Sequence, residues 1–141
     1  MSTDEPVRVL FLCTENAARS QMAEGLLRSR GGGAYEVFSA GLSPNGVHPA
    51  AVEVMAEMGV DISGQTADDV AAYRDTELDY IVTLCGGAQD VSPSLRAQEM
   101  VIHHPVDDPA AVPASEQPEA FRRVRDALAD WIDRTFALQA A

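Results

Sequence analysis

The sequence predicts an α/β fold: a four-stranded parallel sheet flanked by helices on both faces, arranged as a three-layer sandwich. Two observations lead to this prediction. The first is that strand-like apolar runs alternate with helix-like patterns along the chain, because strands joined by helices run parallel. The second is that the first run, Val7 to Leu12, is apolar throughout except for Arg8, as expected for a strand that is covered on both faces.

The strands and the first helix follow from hydrophobic periodicity. The predicted strands are Val7 to Leu12, Tyr35 to Ala40, Asp79 to Leu84 and Met100 to His103. The first helix is predicted from Ala18 to about Ser29, because Ala18, Met22 and Leu26 recur at the spacing of one helical face. The glycines at positions 31, 32 and 33 end this helix in a turn.

The second helix is predicted from His48 to Met58. Ala51, Met55 and Met58 share one face of this helix, so we expect all three to point inward. Gly59 is suited to the position after the helix end.

Two more helices complete the predicted order. Thr66 resembles an N-cap, and the acidic residues after it favour a short helix that ends near Tyr73. The longest helix is predicted from Glu119 to about Ala137. Its core-facing residues are predicted to be Phe121, Val124, Leu128, Trp131 and Ile132.

Composition limits the classes of partner. The chain has 141 residues, which predicts a single domain over residues 1–141. Its formal net charge of −12 argues against nucleic acid and against anionic membranes as partners. We expect a cytoplasmic protein, since no apolar signal segment or membrane-length run is present.

A nucleophile and an anion-binding loop come together where the first strand meets the first helix. Cys13 ends the strand, and Arg19 and Ser20 open the helix in the pattern Cys-x5-Arg-Ser. Loop N–H groups and a helix N-terminus form a concave anion site, to which Arg19 adds two parallel hydrogen bonds. The expected oxyanion-binding residues are Thr14, Glu15, Asn16, Ala17, Ala18, Arg19 and Ser20.

The same groups predict an activated thiol. Arg19 and the loop N–H groups are expected to lower the pKa of Cys13, and the Ser20 hydroxyl could donate to the thiolate. The alternative is that Cys13 is a buried structural cysteine beside an exposed arginine.

Cys85 is the second candidate for thiol chemistry. It follows the third strand as Cys13 follows the first, so both are expected at the carboxyl edge of the sheet. Two cysteines in a chain of this kind favour catalysis or redox chemistry over a structural disulfide. A movement of the segment after Cys85 could bring the two cysteines together, or Cys85 could simply be packed beneath the loop.

Asp108 is the candidate proton donor. It lies in Asp107-Asp108-Pro109-Ala110, directly after the fourth strand, where a carboxylic acid could protonate a departing oxygen. Burial, or the neighbouring Asp107, would raise its pKa. The alternative is an ordinary Asp-Pro turn.

The segment from Cys13 to Gly25 resembles the active-site segment of arsenate reductases built on the low-molecular-weight protein tyrosine phosphatase fold. The similarity covers nearly the whole chain in order. It continues through Tyr35 to Gly41, Gly59 to Ser63, Thr83 to Gly86, Asp107 to Ala110 and Phe121 to Asp126.

The resemblance implies a mechanism for reducing arsenate. The Cys13 thiolate would attack arsenate held by the loop and Arg19, and water would leave with Asp108 as the proton donor. A second thiol would then attack the Cys13 sulfur and release arsenite, while phosphate and sulfate would act as mimics of arsenate. Some family members bind a potassium ion. The matching positions are Asn16, Glu24, Thr66 and Asp68; helix capping is the alternative for Thr66 and Asp68.

Two departures from the family bear on the reductant. Thioredoxin-coupled members carry a third cysteine seven residues after the position of Cys85, where this chain has Ser92, and a loop position often occupied by cysteine is Ala18. These differences favour a low-molecular-weight thiol, mycothiol or glutathione, with mycoredoxin or glutaredoxin as the redox protein. Direct reduction of a Cys13–Cys85 disulfide, for example by thioredoxin, is the alternative.

Two other functions fit the same loop. One is a phosphomonoester hydrolase of the low-molecular-weight tyrosine phosphatase type, although Gln21 stands where that branch usually has proline. The other is a non-catalytic oxyanion-binding or redox-sensing module that uses Cys13 only to bind.

Overall fold

The computed structural model describes residues 5–15, 17–85, 95 and 97–136. Four strands and three α-helices in these residues occur in the predicted order. They are β1 (Val7–Cys13), α1 (Arg19–Gly31), β2 (Tyr35–Gly41), α2 (Pro49–Ala56), β3 (Leu78–Thr83), β4 (Ala97–His103) and α3 (Gln117–Thr135). Short 3-10 helices occupy Gly32–Ala34, Val70–Tyr73, Pro109–Ala111 and Ala114–Glu116.

The four strands form one parallel sheet, as predicted. Their order is β2-β1-β3-β4, so β1 is an inner strand with partners on both sides. Cys13 pairs with Gly41 of β2, and Leu12 pairs with Thr83 of β3. The Leu84 N–H continues this pairing by donating to the Leu12 carbonyl at 2.9 Å. The residues that follow β1 and β3 therefore lie at the same edge of the sheet.

Both faces of the sheet are covered, which confirms the predicted three-layer arrangement. The three α-helices pack on one face, against strand residues that include Val9, Phe11 and Val82. The 3-10 helix Val70–Tyr73 packs on the other face, together with Leu95. Residues 9–12 of β1 are fully buried, which explains why that stretch is continuously apolar instead of alternating.

Two predicted details near α2 and the following loop are wrong. Met58 is 36% exposed, because α2 ends at Ala56 and Met58 falls in the turn after it. Gly59 completes this turn with a φ of +78°, which favours glycine. The short helix predicted from Thr66 begins only at Val70, and its cap is Asp69, whose carboxylate accepts from the Ala71 N–H at 2.8 Å.

The last helix, α3, closes the helical layer. It begins at Gln117, two residues before the predicted start. Four of its predicted core residues are buried: Phe121, Val124, Leu128 and Ile132. Trp131 is only partly buried, and its indole stacks on the ring of His104 with centroids 4.1 Å apart. In the described part of the chain, no helix has the length and apolar character needed to cross a membrane.

The glycine at position 25 allows α1 to approach the loop after α2. A Cβ at this position would lie 2.5 Å from Cγ2 of the fully buried Ile62. Overpacking of this kind costs about 1–3 kcal/mol, which exceeds the gain of about 1 kcal/mol in helix propensity. We expect Gly25→Ala to lower the urea midpoint of unfolding.

Gly33→Ala is the matched control, because a Cβ at that position would meet nothing within 4 Å. Its midpoint should stay close to that of the unmodified chain. A midpoint for Gly25→Ala equal to or above that of Gly33→Ala would contradict this account of the α1 contact.

Candidate active site

The loop between β1 and α1 is held with its carbonyl groups turned outward. Three of its carbonyl oxygens accept hydrogen bonds from the neighbouring segment 43–48. The pairs are Ser43 N–H to Thr14 O (2.9 Å), Asn45 N–H to Glu15 O (3.0 Å) and His48 N–H to Ala17 O (2.8 Å). In a planar trans peptide the N–H points away from the C=O, so the next N–H groups, those of Glu15 and Ala18, point away from segment 43–48 and are available to an anion.

The loop is part of a cleft of about 340 Å³. Most of the predicted oxyanion-binding residues lie in it; Asn16 falls outside the described residues. The lining residues are Cys13, Thr14, Glu15, Ala17, Ala18, Arg19, His48, Asp108 and Ala110. The N-terminus of α1 adjoins the cleft, and its N-cap Ala18 provides no side-chain cap. An anion in the cleft would therefore meet the positive end of a helix.

Arg19 is anchored to the segment that carries Asp108. One guanidinium nitrogen, Nη1, donates to the Val106 carbonyl at 3.0 Å, and Nη2 lies 4.0 Å from Oδ2 of Asp108. The Arg19 side chain is only 12% exposed. A buried, anchored guanidinium is well placed to bind an oxyanion in a fixed orientation.

Asp108 lies in the cleft with Cys13 but is not buried. Its side chain is 46% exposed and therefore in contact with water. One carboxylate oxygen accepts from the Ala110 N–H at 2.9 Å, which caps the 3-10 helix Pro109–Ala111 and fixes the orientation of the carboxylate. The Asp-Pro turn and the placement at the cleft are therefore both present.

The two cysteines lie next to each other. Both are buried and neither forms a disulfide, and a side-chain hydrogen bond from Cys85 is the largest cause acting on the Cys13 pKa. The hydroxyl of Thr14 lies 3.1 Å from the Cys85 sulfur, so Cys85 also contacts the loop itself. This contact requires no movement of the segment after Cys85, a part of the chain that lies outside the described residues.

The contact reverses the expected shift of the Cys13 pKa. The hydrogen bond to Cys85 raises the pKa of Cys13, and burial raises it further. The charge of Arg19 and the Ser20 N–H, which donates to the sulfur, lower the pKa but do not outweigh these causes. The predicted net lowering is therefore wrong, because two adjacent thiols cannot readily both ionise.

Ser20 is placed beside the nucleophile, as predicted, although the contact differs from the expected one. The residue is fully buried in the first turn of α1, and its backbone N–H makes the interaction with the Cys13 sulfur. The role predicted for the Ser20 hydroxyl stays a prediction.

His48 is a cleft residue that the sequence reasoning missed. It is the N-cap of α2, and its Nδ1 accepts from the Ala50 N–H at 3.0 Å. Its ring packs on Phe121, with ring centroids 4.9 Å apart. A histidine directly before Pro49, at a predicted helix start, indicates an N-cap. Nothing in the sequence pattern indicates that this residue lies in the cleft.

The residues that the family resemblance implies as potassium ligands lie away from the oxyanion cleft. Glu24, Thr66 and Asp68 line a second cleft of about 420 Å³, while Asn16 lies outside the described residues. Glu24 is already bonded there to Ser39 and Arg28, and Asp68 to Thr66 and Tyr73. The described residues contain no cluster of three or more His, Cys, Asp or Glu side chains that could hold a metal. Glu24, Thr66 and Asp68 therefore share one cleft, and potassium binding there stays a prediction.

Residues 8–137 match the family described as low molecular weight phosphotyrosine protein phosphatase. The chain belongs to this family. An arsenate reductase from Halalkalibacterium halodurans is 43% identical over 131 residues, which cover 92% of this chain and 94% of that protein. A glutaredoxin arsenate reductase from Synechocystis is 35% identical over 130 residues, or 92% of this chain and 96% of that one.

A solved structure shows the same fold. An arsenate reductase in its phosphate-binding state superposes with a TM-score of 0.81 at 35% identity, covering 93% of this chain and 97% of that chain. The resemblance to the arsenate reductases of the low molecular weight phosphatase family is thereby confirmed.

The Cys13–Cys85 contact can be tested through the pKa of Cys13. In Cys85→Ala the largest cause of the raised pKa is removed, so Arg19 and the Ser20 N–H should lower it. Alkylation of Cys13 by iodoacetamide, followed by mass spectrometry of its peptide, should then reach half its maximal rate at a lower pH.

Cys85→Ser is the matched control, because its hydroxyl keeps a hydrogen-bonding partner beside Cys13. We expect a smaller shift in this variant than in Cys85→Ala. Identical pH profiles for Cys85→Ala and the unmodified chain would contradict the assigned contact.

Proposed function

We propose that this protein reduces arsenate to arsenite, with Cys13 as the nucleophile and Cys85 as the second thiol. The observation that carries the proposal is a second buried thiol, that of Cys85, beside the loop that holds Cys13 and Arg19 at the oxyanion cleft. Hydrolysis of a phosphate ester needs one nucleophile, whereas reduction of arsenate needs two electrons, which two thiols can supply. The arsenate reductases among the relatives support the same function.

Arsenate binds first, in the cleft at the N-terminus of α1. The N–H groups of the loop and the Arg19 guanidinium neutralise its charge, which the overall net charge of −12 would otherwise repel. Phosphate and sulfate have the same tetrahedral shape and are expected to compete for the cleft.

In the first chemical step Cys13 gives its thiol proton to the bound arsenate, and the resulting thiolate attacks arsenic. A sulfur–arsenic bond forms and one arsenic–oxygen bond breaks, so that an oxygen leaves as water and arsenic remains pentavalent. Asp108 donates a proton to this oxygen. Its carboxyl group lies at the same cleft, is accessible to water, and is oriented by the Ala110 N–H.

In the second step Cys85 attacks the Cys13 sulfur. A disulfide forms, the sulfur–arsenic bond breaks, and its electron pair passes to arsenic, which leaves as trivalent arsenite. Two thiols are oxidised for each arsenate reduced. The thiols are already in contact, which favours this route over attack by an external thiol on the adduct.

An external dithiol or thiol must then reduce the disulfide. Candidate reductants are mycothiol or glutathione with mycoredoxin or glutaredoxin, or thioredoxin acting directly. The relative from Synechocystis is named a glutaredoxin arsenate reductase, which supports a glutaredoxin-type partner.

A single-turnover experiment tests the role of Cys85. The fully reduced chain, mixed with arsenate in the absence of any other thiol, should release about one arsenite per chain and lose two titratable thiols. Cys85→Ser should release none under these conditions, and Cys13→Ser should release none with any reductant.

Three results would contradict this scheme. Equal turnover by Cys85→Ser and the unmodified chain with glutathione and glutaredoxin would make Cys85 dispensable. Hydrolysis of an aryl phosphate without arsenite formation would favour a phosphatase, while binding of arsenate without turnover would favour a module that only binds oxyanions.

A second measurement tests Asp108 as the proton donor. Asp108→Asn retains the shape of the side chain but cannot supply the proton, so the rate of adduct formation should fall about 10²-fold or more. The rate can be measured by rapid-quench mass spectrometry of the arsenic adduct in the Cys85→Ser background.

Asp107→Asn is the matched control, since Asp107 precedes Asp108 and does not line the cleft with Cys13. Its rate should stay within a few-fold of the parent. An unchanged rate for Asp108→Asn would show that Asp108 is not the proton donor in the first step.

A further inference from the structure

Helix α1 carries a buried carboxylate near the loop between β1 and α1. Glu24 is 7% exposed, and it follows Ser20 by one helical turn on α1. One of its oxygens accepts from the Ser39 hydroxyl at 2.5 Å, and the other accepts from the Arg28 guanidinium. A carboxylate at such a depth requires a counter-charge, because its transfer out of water is otherwise costly.

Arg28 supplies this charge and also joins three parts of the fold. Besides Glu24, its guanidinium donates to the Val37 carbonyl of β2 at 3.1 Å and to Oε1 of Gln65 at 3.0 Å. Gln65 in turn donates to the side-chain oxygen of Gln21 at 2.7 Å. The guanidinium therefore connects α1, β2 and the loop after α2.

Asp68, another acidic residue that lines the second cleft, has both carboxylate oxygens hydrogen-bonded. One carboxylate oxygen of Asp68 accepts from the Thr66 hydroxyl and the other from the Tyr73 hydroxyl, each at 2.9 Å. The Tyr73 pKa is raised by burial and by this hydrogen bond, so its hydroxyl keeps its proton. The carboxylates of Glu24 and Asp68 are thus both paired with donors from the protein.

We propose that the Arg28 guanidinium is the permanent cation of this cleft and takes the place of the potassium ion implied by the family resemblance. The stability of the chain is then independent of potassium. Removal of the guanidinium leaves Glu24 buried without a counter-charge and converts the cleft into a potassium site. This proposal does not rest on arsenate reduction, and its test does not measure that activity.

Thermal unfolding of the full chain in potassium chloride and in choline chloride, at equal ionic strength, tests the proposal. The unmodified chain should have the same Tm in both salts. Arg28→Met should have a lower Tm in choline chloride and should gain roughly 5 °C for each tenfold rise in potassium above its Kd.

Three variants show whether the effect belongs to this cleft. Arg30→Met removes another arginine of α1, one that pairs with Asp133, and should show no response to potassium. Arg28→Lys keeps a positive charge and should also be insensitive to potassium. The double variant Glu24→Gln, Arg28→Met removes the buried charge and should lose the potassium response of Arg28→Met.

Several results would overturn the proposal. One is a potassium response of the unmodified chain as large as that of Arg28→Met. Another is the lack of a potassium response in Arg28→Met. If Arg28→Met does not fold in either salt, Arg28→Lys decides: folding without potassium supports the proposal, and failure to fold without potassium overturns it.

Discussion

The parallel pairing of β1 with β3 is the constraint on which the candidate active site depends. It aligns Leu12 with Thr83, and the bond from the Leu84 N–H to the Leu12 carbonyl extends the alignment by one residue. Cys13 and Cys85, 72 residues apart in the chain, thereby come into contact at one edge of the sheet. A hairpin could not produce this arrangement, because parallel neighbours need a crossover between them.

The loop beside these thiols depends on a second set of backbone contacts. Segment 43–48 donates to the carbonyl groups of Thr14, Glu15 and Ala17 and thereby turns them away from the cleft. The loop can therefore present N–H groups to an anion without an unsatisfied carbonyl beside it. His48 links this support to the helical layer, because it donates its N–H to the loop, caps α2 and packs on Phe121 of α3. The positive potential of the site is thus local, in a chain whose overall charge is strongly negative.

The parts of the fold that were predictable from sequence are those set by continuous local patterns. The buried run of β1, the loop after it and the helix beginning with Arg19 follow one another in the chain, so their arrangement could be inferred. The Cys13 pKa could not, because its main cause is Cys85, which reaches Cys13 through strand pairing. The exposure of Asp108 could not be inferred either, because it depends on how the turn at Pro109–Ala111 sits at the cleft, where the Asp108 side chain is 46% exposed.

Helix α1 explains why the two clefts of this protein are physically linked. Its first turn carries Arg19 at the oxyanion cleft, and its next turns carry Glu24 and Arg28 at the second cleft. The contacts of Arg28 with Val37 and Gln65 restrain the helix against β2 and the loop after α2. Because a helix is stiff along its axis, a restraint at Arg28 also limits displacement of Arg19, which must hold the oxyanion within hydrogen-bond distance. The contacts of Arg28 outside its own helix therefore help to position the oxyanion site, using a charge that is part of the chain.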